Sequence, residues 1–186
     1  MTLFINACTR AQSRTKRLAD TYLSTLTDTI EEVRLDKISF TVADAEFLAK
    51  RDALIAARNF DDPAFILARQ FASANEIVIA APFWDLSFPA SLKQYFEQIN
   101  VLGVTFVYTP DGIPQGLCRA HKLTYITTAG GYYFPEEFGF GYVKALAQGY
   151  YGIPEVNLIK ALGLDIDGAD PEMILKDAQN EIKKAL

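Results

Sequence analysis

The chain has 186 residues, half of them apolar, and a formal net charge of −5. That is enough to bury one substantial core, so a single domain covering residues 1–186 is expected. The acidic balance argues against a nucleic-acid binder, which draws its affinity from clustered Lys and Arg. Cys8 and Cys118 are too few for a disulfide framework, and with a single histidine no structural metal site is expected. No signal peptide or membrane-spanning run is visible, which points to a soluble protein in the reducing cytoplasm.

Taken in chain order, Leu3 to Ala7 reads as a strand, and a polar loop from Cys8 to Ser13 leads into a helix with Leu18, Tyr22, Leu23 and Leu26 on one face. Glu32 to Leu35 is a candidate second strand. The stretch from Asp44 to Asn75 is helix-rich and is divided at Asp61-Asp62-Pro63, where a turn offers a new helix start. Ile77 to Ala81 is apolar without alternation, the pattern of a strand covered on both faces. Pro82 stops it. Pro89 suits the first turn of a helix that buries Leu92, Tyr95, Phe96 and Ile99.

Val104 to Tyr108, with Pro110-Asp111-Gly112, predicts a short inserted hairpin. Lys122 to Thr128 is the fourth main strand. Gly130 to Gly141 follows as a mobile loop of glycines and aromatics, then a helix to about Gly149, a strand near Val156 to Ala161, and a last helix from about Pro171. Alternating strands and helices specify a doubly wound α/β sheet, flavodoxin-like, with five parallel strands in the order 2-1-3-4-5. In that order the loops after the first, third and fourth main strands converge on one crevice at the carboxyl edge.

Those loops carry the unusual residues. The first has neither a G-x-x-x-x-G-K nor a G-x-G-x-x-G pattern. It offers the hydroxyls of Thr9, Ser13 and Thr15 together with Arg10 and Arg14, a set suited to a phosphate monoester at a helix N-terminus. Ser13 taken alone reads equally as a helix N-cap, and the Arg10, Arg14, Lys16, Arg17 cluster as a solvated helix start. The second loop presents Phe83 and Trp84 as flat surface and Asp85 as a polar edge, with a hydrophobic plug as the plainer alternative. The third, Thr127 to Gly131, lets backbone approach a ligand closely. A phosphate cup beside a planar slot describes a flavin mononucleotide better than an adenine dinucleotide.

Four pieces of the chain carry a family resemblance: Ser13-Arg-Thr15, the run from Ala81 to Phe96, the stretch Gly103 to Thr109 with Gly112 and Gly116-Leu117, and Thr128 to Gly131. With them the chain resembles the FMN-dependent NADH-azoreductases and NAD(P)H:quinone oxidoreductases of flavodoxin-like fold. The resemblance implies that Ser13, Arg14 and Thr15, with Arg10 and Thr9, bind the FMN phosphate. It implies that Pro82, Phe83, Trp84, Asp85 and Leu86 pass along the isoalloxazine edge and that Thr128, Ala129, Gly130 and Gly131 hold the pyrimidine side. Asp85 stands where many azoreductases have Asn, and a carboxylate there disfavours a reduced anionic ring by like-charge repulsion.

The implied activity passes two electrons from NADH or NADPH through FMN to a quinone, azo or nitroaromatic acceptor in ping-pong turnover, by a homodimer, with no catalytic side chain beyond the cofactor. Phe106, Tyr132, Tyr133 and Phe134 are candidates for the pocket of the planar aromatic acceptor, the aromatic run reading equally as a dimer contact. The alternative is a flavodoxin-like FMN-binding electron carrier without substrate turnover. His121 is expected at the opposite, amino edge, and Cys8 as a small buried hydrophobe.

Overall fold

The computed structural model describes residues 1–184. Its centre is strand β3 (Glu76–Ala80), flanked by β1 (Thr2–Asn6) and β6 (Lys122–Thr128), with β2 (Ile30–Arg34) and β7 (Glu155–Ala161) at the edges. All pairings in this sheet are parallel and the order is β2-β1-β3-β6-β7. This is the expected 2-1-3-4-5 order once the inserted hairpin, β4 (Phe106–Tyr108) and β5 (Pro114–Gly116), is set aside.

Residues 77–80 of β3 are fully buried, as a run without alternation demands. Their side chains feed two separate cores. Ile77 and Ile79 join Phe71, Tyr95, Phe96 and Tyr151 on one face, under α3 (Ile66–Ser73), α4 (Ala90–Ile99) and α5 (Phe140–Leu146). Val78 and Ala80 join Leu18, Tyr22, Leu164 and Leu175 on the other, under α1 (Arg14–Leu23) and α6 (Pro171–Lys184). Each fully buried Leu, Ile or Phe contributes about 1.5–3 kcal/mol relative to exposure, and the edge-on pair Phe71 and Tyr151, centroids 4.8 Å apart, adds ring complementarity.

Helix α2 (Ala45–Ala56) is capped by Asp44, whose carboxylate accepts the Phe47 N–H. It has no fully buried residue and lies on the outer side of the first core through Leu54 and Ile55.

Some expected boundaries shift. The second strand starts at Ile30, two residues early, because Thr2 donates its N–H to Thr29 O and sets the register there. Its outward Glu31 and Glu32 hide the strand from a hydrophobicity reading. Helix α5 ends in a single π turn over Ala147–Tyr151, closed by Gly152 at φ +74°. The loop after β6, expected to be mobile, is held at three points: Ser87 Oγ donates to Phe138 O at 2.6 Å, Lys160 meets Glu136 at 2.6 Å, and Phe134 packs on Phe83.

Both cysteines lie in apolar surroundings. Burial pushes the Cys8 thiol from 9.0 up to about 11 and that of Cys118 up to about 12. A thiol that ionises later in the folded chain than in the unfolded one favours folding fully below pH 9, and that contribution is lost as the pH climbs towards these values. Urea midpoints are therefore expected to fall from pH 9 upwards, and the Cys8→Ala, Cys118→Ala double variant to fall less steeply. Parallel profiles for the two proteins would contradict the assignment.

Candidate functional site

The carboxyl ends of β1, β3 and β6 open into one cleft of about 420 Å3. Loop one contributes Thr9, Arg10, Gln12, Ser13, Arg14 and Thr15, the β3 end contributes Pro82 and Trp84, and the β6 end contributes Thr128, Ala129 and Gly130. A larger groove of about 730 Å3 lies between α2 and the start of α3, lined by Asp44, Phe47, Arg51 and Phe65 among others. No main-sheet strand ends in that groove, so the smaller cleft at the topological switch point is the candidate.

At the floor, Thr15 and Thr128 hydroxyls lie 2.6 Å apart, with both residues buried. Thr15 therefore ties the first turn of α1 to the end of β6. Ser13 caps α1, its Oγ accepting the Lys16 N–H at 3.2 Å, while the Ser13 N–H bonds Arg10 O. Of the four N–H groups a helix start leaves without intrahelical partners, those of Arg14 and Thr15 remain for a ligand, at the positive end of the helix dipole.

Of the four cations in the predicted cluster, three are paired. Arg14 Nη1 meets Asp165 Oδ1 at 2.6 Å, Lys16 meets Asp20 at 2.5 Å, and Arg17 makes a two-point contact with Glu172 at 2.6 and 2.8 Å. Arg10 has no carboxylate partner among the described residues and lies 5.8 Å from the Trp84 ring centroid.

The β3 extension alternates sides. Ala81 and Phe83 donate their N–H groups to Ile126 O and Thr128 O, so the chain is still extended past the strand. Pro82 and Trp84 then face the cleft, and Phe83 faces away, packed on Phe134 at 4.6 Å. Trp84 and Ser87 exchange both backbone hydrogen bonds at 2.8 Å, closing a two-residue turn with Asp85 at φ +49° and Leu86 at φ +69°. Such a turn suits Asn-Gly; Asp tolerates it and Leu is strained by it.

Several expected site residues thus stand elsewhere. Asp85 and Leu86 line an adjoining depression with Glu137, Phe138 and Tyr142, because the turn projects both side chains off its tip. Tyr132 lies over Gly163, where a Cβ would meet its ring, and Tyr133 is 75% exposed. Phe134 sits under Lys160, with Nζ 5.2 Å from its centroid. Phe106 packs on Tyr108 and Tyr150. Helix α4 returns the chain to the amino edge, so the hairpin that carries Phe106 lies at the opposite end of the sheet from the cleft in the same chain. Gly131 does not line the cleft; it gives its carbonyl to Gly163 N–H.

Gln12, Leu164 and Asp165 line the cleft and were not anticipated. The last two arrive because the turn after β7 folds over the loop after β6: Leu164 N–H bonds Ala129 O and Asp165 N–H bonds Gly130 O. A Cβ on Gly130 would stand 2.5 Å from Asp165 Oδ2, so this glycine makes room for Asp165 rather than for a ligand.

Fold and site together define a flavodoxin-like α/β protein with a cleft at its strand ends that is lined by hydroxyls, two arginines and the start of α1. The chain belongs to the family described as having the flavodoxin-like fold, whose model matches residues 1–186. It is similar to an FMN-dependent NADH:quinone oxidoreductase of Clostridium beijerinckii, 32% identical over 186 residues that cover 96% of this chain and 93% of that one. Among solved structures it is similar to an azoreductase from Bacillus anthracis str. Sterne, with TM-score 0.83 and 26% identity over 99% of this chain and 97% of the other. An FMN-dependent NADH-azoreductase from Bacillus anthracis str. Ames Ancestor, solved in complex with FMN, shares the fold at TM-score 0.79 and 24% identity, covering 99% and 96%.

Replacing Thr15 by Val is expected to cost about 1–3 kcal/mol, because the Thr128 hydroxyl loses its partner in a buried place. Urea denaturation checks this, and an unchanged midpoint would refute the role given to that contact.

Proposed function

We propose that this chain is an FMN-dependent oxidoreductase. It takes two electrons from NADH or NADPH and delivers them to quinone, azo or nitroaromatic acceptors in ping-pong turnover. The observation that carries the reading is the coexistence, in one 420 Å3 cleft, of the α1 N-terminus with its hydroxyls and arginines and a flat wall at Trp84. When bound, FMN supplies the two-electron chemistry that no pair of side chains in this cleft offers.

The chain's own share is binding and positioning. Arg14 and Thr15 N–H groups, the Ser13 and Thr9 hydroxyls and the Arg10 guanidinium would hold the phosphate. Trp84, Pro82, Ala129 and Gly130 would flank the ring. The Thr15–Thr128 contact keeps the two halves of the cleft in register. Asp85, turned into the neighbouring depression, would act on the ring at longer range than a cleft residue would. The names of the relatives support NADH as donor and a quinone or azo compound as acceptor.

The same reading takes residues 1–186 as one domain acting as a homodimer in the cytoplasm. Exposed Leu86, Tyr132, Tyr133 and Phe138 supply apolar surface beside the cleft for a second copy or an acceptor. Two free cysteines suit a reducing compartment.

Purified protein given FMN is expected to retain a yellow flavin spectrum after gel filtration and to bleach rapidly under nitrogen on mixing with NADH or NADPH, recolouring on addition of a quinone. Protein that stays colourless overturns the flavin reading. Slow bleaching with both nucleotides favours the electron-carrier alternative.

A further inference from the structure

The cleft has one acidic lining residue, Asp165, and it holds Arg14. Three observations fix the carboxylate there. The Asp165 N–H is bonded to Gly130 O at 2.9 Å, the preceding Leu164 N–H to Ala129 O at 3.2 Å, and the side chain fills the space that a Cβ on Gly130 would need. Arg14 is anchored independently as the first residue of α1, and its Nη1 reaches both Asp165 Oδ1 and, at 3.3 Å, Leu164 O.

The pair remains open to water: the Arg14 side chain is 36% exposed and that of Asp165 69%. An ion pair so placed contributes little to stability and is easily exchanged for another anion. The only other cation of the cleft lining is Arg10. With Asp165 charged, the lining carries two positive charges and one negative; a phosphate monoester dianion entering at the α1 N-terminus meets a net charge of one rather than two.

We infer that Asp165 sets the strength of phosphate binding in this cleft, by competing with the incoming dianion for Arg14 and adding a like charge beside it. The inference rests on the FMN reading and extends it. Asp165 acts chiefly on the phosphate, the charged part of the cofactor, because the oxidised ring expected beside Gly130 is neutral, and cofactor affinity is held below what the cup alone would give. The partner Asp165 selects against is the phosphate monoester; a flavin lacking it is indifferent.

The test is flavin fluorescence quenching by the full-length apoprotein, titrated with FMN and separately with riboflavin. Asp165→Asn is expected to tighten FMN by about tenfold at low salt, to leave riboflavin unchanged, and to lose most of its gain at about 0.5 M salt, where screening is short-ranged. Asp165→Glu should restore wild-type affinity. In an Arg14→Gln background, which itself weakens FMN, the Asp165→Asn gain should shrink. Thermal unfolding of each apoprotein checks that the variants fold, and Asp165→Ser serves as the second neutral variant.

Weaker FMN binding in both neutral variants, or equal changes for FMN and riboflavin, overturns the inference while leaving the FMN reading intact. Wild-type protein that binds neither flavin overturns both.

Discussion

Everything in this molecule hangs on the burial of β3 from both sides. Its side chains alternate between two cores that share no other strand so evenly, with Ile77 and Ile79 under α3, α4 and α5, and Val78 and Ala80 under α1 and α6. Both neighbours of this enclosed strand run parallel to it, because the covering helices are the connections that bring the chain back to the starting edge. All polar loop chemistry after β1, β3 and β6 is thereby delivered to one edge, and the cleft is the gap between those loops. The buried Thr15–Thr128 contact closes that gap at its base.

The cleft is more polar and more nearly neutralised than its sequence suggests. Carboxylates from the turn after β7, from α1 itself and from α6 meet Arg14, Lys16 and Arg17, leaving Arg10 beside Trp84. The backbone N–H groups of Arg14 and Thr15 at the α1 start remain unpaired by any carboxylate among the described residues, fixed dipoles that need no counter-ion. Loop two meets a different demand. Turning back after Trp84 in two residues requires left-handed backbone at Asp85 and Leu86, which costs on the order of 1 kcal/mol at a leucine. That strained turn carries Trp84 on its cleft side and throws Asp85 to the other.

The sheet order, the inserted hairpin and most helices were legible in the sequence because burial imposes a period on apolar residues: Leu92, Tyr95, Phe96 and Ile99 all lie inside, as their spacing requires. Lys122–Thr128 appears as read. Edge strand β2 was misplaced by two residues because only Val33 is buried in it. The site was legible as a set of loops and less so as a set of side chains. Loop one, Pro82, Trp84 and Thr128 to Gly130 meet in the cleft. Phe83, Asp85 and Leu86 do not, since a strand extension ending in a tight turn alternates its side chains and the sequence carries no mark of where that alternation begins. Phe106 stands at the other edge because a helix reverses the chain before it. Asp165 was hidden for another reason: its place depends on hydrogen bonds from the turn after β7 to the loop after β6, although Gly163-Leu164-Asp165 directly after β7 was the available signal.

The central claim is that the carboxyl-edge cleft receives FMN with its phosphate at the start of α1 and its ring at Trp84. The most direct measurement is a crystal structure of the protein soaked with FMN. The account predicts phosphate density within hydrogen-bond reach of the Ser13 hydroxyl and the Arg14 and Thr15 N–H groups, and ring density between Trp84 and Gly130. FMN density in the groove beside α2, or in the cleft with the phosphate turned away from α1, would contradict it.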